Sequence, residues 1–252
     1  MEHLVQHAVT TIRERFWEPL TLDDLARTAM VSKYYFLRVF TRVTGVTPGR
    51  FLCAVRIQEA KRLLMTTELT VADIAVRVGY SSTGSFTRRF TELVGASPTH
   101  YRRLSLPGEK REPGLPEAAS AASAPQPEPA CSGTVTGVLH TAGTVLSPVY
   151  VGAFDSAMLQ GTPASWSTVA TPGRFTLARV PAGTWYIHAV AQALPAGSAA
   201  DAEPTPLTAT AGPVRVKGDT ARRIDITLSP PDWTRPPILS ALMDLDPQPM
   251  AA

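Results

Sequence analysis

Residues 70–101 read TVADIAVRVGYSSTGSFTRRFTELVGASPTHY, and residues 21–51 read TLDDLARTAMVSKYYFLRVFTRVTGVTPGRF. Laid over each other at an offset of 49, Thr21, Asp24 and Ala26 match Thr70, Asp73 and Ala75. One residue is then inserted. At an offset of 50, Phe36, Arg38, Phe40, Thr41, Gly45 and Pro48 match Phe86, Arg88, Phe90, Thr91, Gly95 and Pro98. A repeat of this length is a duplicated supersecondary unit.

Each copy reads as helix, turn, helix. Thr21 and Thr70 are N-cap candidates, because a hydroxyl there accepts from the free amides of the first turn. Asp24 and Asp73 follow three residues on and complete a capping-box pattern. Leu22, Leu25, Ala26 and Ala29 form one apolar face, and Val71, Ile74, Ala75 and Val78 form its counterpart. Turns fall at Met30-Val31 and Gly79-Tyr80, and Ser32 and Ser81 or Ser82 can cap the second helices. Those helices bury Phe36, Val39, Phe40 and Val43 in one copy, and Phe86, Phe90 and Leu93 in the other. Gly45 and Gly95 suit the left-handed position that ends a helix.

A helix-turn-helix sets its second helix in the DNA major groove, so that helix needs a polar outward face with multidentate donors. The outward positions are Lys33, Tyr34, Leu37 and Arg38, then Thr83, Gly84, Ser85, Thr87 and Arg88. Arg38 and Arg88 are equivalent by the repeat, and either can meet a guanine in two hydrogen bonds. A lone hairpin with such a face would favour an ordinary solvated surface; two in tandem shift the balance towards groove reading. Between the copies, PGRFLCAVRIQEAKRLLMTT carries apolar residues at helical spacing. As one helix over 48–66 it would span roughly 28 Å. Successive major grooves on one face of B-DNA lie about 34 Å apart, so this helix can hold two recognition helices in adjacent grooves. Arg50, Arg56, Arg102 and Arg103 read as spare cations for phosphates.

These residues resemble the DNA-binding domain of the AraC/XylS family. The match runs through residues 1–104 and is densest in DIAVRVGYSSTGSFTRRFTELVGASPTHYRR, residues 73–103. The resemblance implies a seven-helix, bipartite helix-turn-helix domain that regulates transcription. It carries base reading onto Tyr34, Leu37 and Arg38 in the first recognition helix and onto Thr83, Gly84, Thr87 and Arg88 in the second. Phosphate contacts fall on Lys33, Ser82, Arg50 and Arg102. Leu37 can touch only a thymine methyl, and Gly84 brings no side chain while weakening its helix by roughly 1 kcal/mol relative to Ala.

The rest of the chain differs in kind. The protein has 252 residues and a net charge of +3, but residues 1–110 carry +6 and residues 111–252 carry −3. A basic half joined to an acidic half points to an anionic partner for the first. Hydrophobic residues make up 44%, enough for packed cores, and no apolar run approaches the ~18 residues of a membrane span. The charged N-terminus, MEHLVQHAVTTIRERFWE, is no secretory signal. Two cysteines, Cys53 and Cys131, supply neither a disulfide framework nor a zinc site. The expectation is a cytoplasmic, nucleoid-associated protein with no cofactor and no metal.

Residues 106–132 hold six prolines and many alanines and read as an extended linker. Beyond it come β-like runs at 134–140, 148–154, 165–170, 174–180, 184–191, 213–218 and 222–229. Alternation is visible in Val135 and Val138, in Val149, Val151 and Ala153, in Trp185, Ile187 and Ala189, and in Ile224, Ile226 and Leu228. The fold class expected is therefore an all-α bipartite helix-turn-helix domain, residues 1–105, followed by a separate all-β sandwich, residues 133–230, and a tail, residues 231–252. GRFTLARVPAGTWYIHAVA, residues 173–191, resembles the carboxypeptidase regulatory-like, transthyretin-like sandwich, as do Gly133, Val135 and Gly137 at its opening. That resemblance implies a fold far more than a function.

No catalytic spacing appears in this half, so an enzyme is not expected. His188 reads as a satisfied or solvent-facing histidine, Asp155 and Asp225 as surface charges, and Trp166, Trp185 and Tyr186 as core aromatics by default. Ile238, Leu239, Leu242 and Met243 form the apolar face of a short helix that docks on the sandwich or binds a partner. The function expected is a sequence-specific transcriptional regulator reading two adjacent major grooves. Its partners are double-stranded DNA, RNA polymerase, and a small-molecule effector or protein at the β domain. The alternative is a protein- or carbohydrate-binding β module that the helical domain anchors to DNA.

Overall fold

The computed structural model describes residues 2–104, 131–141, 143, 145–194, 204–218, 220–230 and 232–241. They form two compact units. One holds residues 2–104 together with 232–241; the other holds the described residues from 131 to 230.

The helical unit contains seven helices: α1 (Glu2–Glu14), α2 (Leu22–Thr28), α3 (Lys33–Thr44), α4 (Pro48–Thr66), α5 (Val71–Arg77), α6 (Thr83–Val94) and α7 (Pro98–Leu104). Local chemistry sets the boundaries. Thr21 and Thr70 each accept from the amide three residues on, and Asp24 and Asp73 each accept from the cap amide in return. Ser32 and Ser82 cap α3 and α6. Gly45 and Gly95 close the same helices at φ 76° and 88°. Every paired cap keeps the sequence offset, so the duplication is one of structure as well as of letters.

Packing repeats too. Phe36 and Phe40 lie 5.6 Å apart between ring centroids, as do Phe86 and Phe90. Phe40 meets Phe51 edge-on at 5.7 Å, and Phe90 meets Tyr101 at the same distance. All six rings are fully buried. Such pairs contribute about 0.5–1.5 kcal/mol each beyond the area they bury. α1 adds Val5, Ala8, Val9 and Ile12 to the core of the first copy's side.

The β unit contains β1 (Ser132–Thr141), β2 (Val149–Phe154), β3 (Ser165–Val169), β4 (Arg174–Pro181), β5 (Gly183–Ala193), β6 (Thr205–Val216), β7 (Ala221–Arg223) and β8 (Ile226–Leu228). One sheet runs β4-β1-β7, with β8 pairing further along β1; the other runs β3-β2-β5-β6. β7 and β8 run parallel to β1, and every other pairing is antiparallel. Val135, Leu139, Phe175, Leu177, Ile226 and Leu228 of the first sheet share one buried core with Val149, Val151, Ile187, Ala189 and Leu207 of the second. β2 is buried on both faces: away from that core, Tyr150 stacks on Trp166 and Phe154 meets His188 edge-on.

Four details differ from the sequence expectation. The last β run is two strands, not one. At the break, Ile224 donates to Thr136 and Asp225 accepts from the Val138 amide at 3.0 Å. The Ile224 carbonyl stands where a Cβ on Gly137 would lie, so only glycine fits there. Second, β6 begins at Thr205, well before 213. Third, Leu139, not Val138, joins Val135 in the core, since pleating brings every second residue to one face. Fourth, residues 232–241 are not helical and belong to the helical unit. Most of the linker, and Leu242 and Met243, lie outside the described residues.

Candidate nucleic-acid interface

The first turns of α3 and α6 are open to solvent. Tyr34 is 77% exposed, Arg38 is exposed and its guanidinium lies 5.6 Å from the Tyr35 ring, and Leu37 is half-buried. Thr83, Gly84, Ser85 and Arg88 are exposed, and Thr87 is half-buried. The sequence-named positions thus share the outward face of their own helix in each copy.

Charge distinguishes these helices from their partners. α2 starts with Asp23 and Asp24, and α5 carries Asp73, as the positive end of a helix dipole favours. The Thr21 hydroxyl and amide both donate to Asp24 and hold its carboxyl below the ordinary range. Neither α3 nor α6 has an acidic residue in its first turn.

The cations expected at phosphates sit in different settings. Arg50 is exposed in the first turn of α4. Lys33 is exposed, pairs with Asp23 at 3.7 Å and lies over the Tyr34 ring. The Ser82 hydroxyl caps α6, accepting from Ser85. Arg102 donates to the carbonyls of Leu64 at 3.2 Å and Leu69 at 2.6 Å, which ties α7 to the end of α4 and the loop after it.

Arg56 is not a spare cation. It projects from α4, donates to the Phe16 carbonyl at 2.7 Å and to the Glu18 carbonyl at 2.8 Å, and lies 5.8 Å from the Tyr80 ring centre. Burial lowers its pKa, and burial first of all raises that of the Tyr80 phenol. Tyr80 follows α5 and the loop at 16–18 precedes α2, so Arg56 joins the connecting helix to elements of both copies. Sequence reading missed this, because its acceptors are backbone carbonyls that carry no sequence signal.

In the β unit, His188 is 2% exposed and hydrogen-bonded through both ring nitrogens, to the Ser156 carbonyl and the Thr210 hydroxyl. Trp185 is half-buried, donates to the Pro181 carbonyl and packs on the core. Trp166 is 36% exposed and stacks on Tyr150. No group of three or more potential metal ligands occurs among the described residues. No helix among them is long and apolar enough to cross a membrane.

Two capped helix pairs joined by a long helix, each presenting an acid-free recognition turn, define a bipartite helix-turn-helix DNA-binding protein. A family model described as a helix-turn-helix domain matches residues 25–104. The transposon Tn10 TetD protein of Escherichia coli is 36% identical over 103 residues, which are 41% of this chain and 75% of that one. The HTH-type transcriptional activator AarP of Providencia stuartii is 34% identical over 99 residues, 39% of this chain and 73% of its own length. Among solved structures, the C-terminal domain of AraT, a response regulator from Geobacillus stearothermophilus, is 33% identical, with a TM-score of 0.41 over 43% of this chain and 91% of that one. The chain belongs to the AraC/XylS family of transcriptional regulators.

Proposed function

We propose that the helical unit reads two adjacent major grooves of double-stranded DNA, one with each recognition helix. Arg38 and Arg88 carry most of the base reading, by paired donors to guanine. Tyr34, Leu37, Thr83, Gly84 and Thr87 line the same surfaces. Lys33, Arg50 and the cap at Ser82 position phosphates, together with Arg102, whose guanidinium also holds the Leu64 and Leu69 carbonyls. The observation that carries this reading is the pair of matched recognition helices whose first turns lack acidic residues, beside α2 and α5, which have them. A polyanion gains from both dipole ends, and the Asp23 carboxylate beside α3 is paired with Lys33.

We assign residues 133–230 to a β-sandwich of the carboxypeptidase regulatory-like kind, joined by a tether at 106–132. The core shared by the two sheets supports that reading. In this scheme the β domain senses an effector or mediates assembly, and the regulator works alongside RNA polymerase. Footprinting tests the first part: two protected stretches about one helical turn apart, on one face of the DNA, are expected. Protection of a single groove would refute it. Affinity should fall steeply as salt rises, since phosphate neutralisation releases counterions.

A further inference from the structure

Through Pro230 the chain belongs to the β unit, and from Asp232 to Ala241 it lies in the helical one. Its last residues are built in. Leu239 is fully buried, Ser240 is 3% exposed and Ala241 is 4% exposed. The Ala241 amide donates to the Val94 carbonyl at 3.0 Å. Val94 is the last residue of α6, one of the four whose carbonyls have no partner within their own helix.

The same segment meets a buried charge. Lys61 is 2% exposed on α4. Its ammonium donates to the Ser240 carbonyl at 3.1 Å and the Ile238 carbonyl at 3.5 Å, and lies 5.6 Å from the Tyr101 ring centre. Tyr101 belongs to α7, is fully buried, and donates to the Met65 sulfur. An ammonium taken out of water is costly unless acceptors surround it. Two of those acceptors come from a segment that follows the whole β unit in sequence.

We propose that residues 238–241 are a strap of the DNA-binding unit, taking the charge of Lys61 and finishing the end of the second recognition helix. DNA affinity then depends on a segment beyond the β unit, and that unit is an insertion between two parts of the reader. The inference does not rest on the base-reading assignment, because its first readout involves no DNA.

The test uses the full chain. Hydrogen exchange should find the Ala241 amide protected far above the rate of a free tail; exchange at the free-tail rate would overturn the proposal. Ending the chain after Pro230 should lower the melting temperature of the helical unit and weaken DNA binding about fivefold or more. Repeating that truncation in Lys61→Met should cost less, because the buried charge that needs the strap is gone. Ala241→Pro removes the donor to Val94, and also fixes φ at 241 and restricts Ser240, and should reproduce part of the loss. Unchanged melting and affinity after truncation, or an equal truncation cost with and without Lys61→Met, would refute it.

Discussion

Gly79→Ala is the substitution whose cost follows most directly from geometry. Gly79 ends the first helix of the second copy at φ 86°, where an L side chain is strained by about 1–2 kcal/mol. A Cβ there would lie 2.7 Å from the Trp17 carbonyl oxygen and 3.0 Å from an Arg56 nitrogen. The first contact is with backbone, which cannot swing aside, and overpacking of this kind costs about 1–3 kcal/mol. The lower entropy of the unfolded alanine chain offsets about 0.4–1 kcal/mol. The net loss is about 1–4.6 kcal/mol, at least about 4 °C in melting temperature for a domain of this size. The control is built into the repeat. Met30 holds the equivalent position at φ 53° but is 92% exposed. Met30→Gly relieves strain and adds chain entropy, so its effect should stay within about 1 kcal/mol. Helical circular dichroism during a thermal melt measures both. If Gly79→Ala melts within about 2 °C of the parent, the contact with the loop at Trp17 is not what requires glycine.

Other tests concern reading and capping. Arg38→Ala and Arg88→Ala should each weaken specific binding by about 1–3 kcal/mol and relax base preference in one half of the site, as titration against a library of single-base variants would show. Equal losses on random DNA would mean phosphate contact instead. Thr21→Ala and Thr70→Ala should each cost about 0.5–2 kcal/mol in denaturant unfolding, and the two losses should add because the caps share no partners. The Asp24 carboxyl is held low by Thr21, so its contribution to stability is full above the unfolded-state pKa and is lost as pH falls through the folded one. Acid unfolding below about pH 4 should therefore shift less in Asp24→Asn than in the parent.

The helical half was legible because its signals are local. Thr21, Asp24, Ser32, Gly45 and their repeats act on residues within four places in sequence, and a hairpin of helices follows from them. The exposed first turns of α3 and α6 were legible for the same reason. The β half obeyed alternation only where contacts were simple. The break between β7 and β8 depends on the Ile224 carbonyl meeting Gly137, far away in sequence. The first half of β6 was hidden by Pro206 and Pro213, residues that an edge strand tolerates where a central one would not. Arg56 was counted as a free cation because its acceptors are main-chain groups. Lys61 did leave a signal. With Ile57, Ala60 and Leu64 it falls on the apolar stripe of α4, where a cation requires a partner, but nothing in the sequence said that residues 238–241 supply it.

A docked strap also closes a loop. The segment between α7 and the strap is 127 residues, 105–231. For a flexible loop, closure entropy grows only as (3/2)RT ln n, so doubling or halving that length would change the cost by about 0.6 kcal/mol. The strap's seat therefore tolerates very different lengths of chain between itself and α7, with no contact between the two units required.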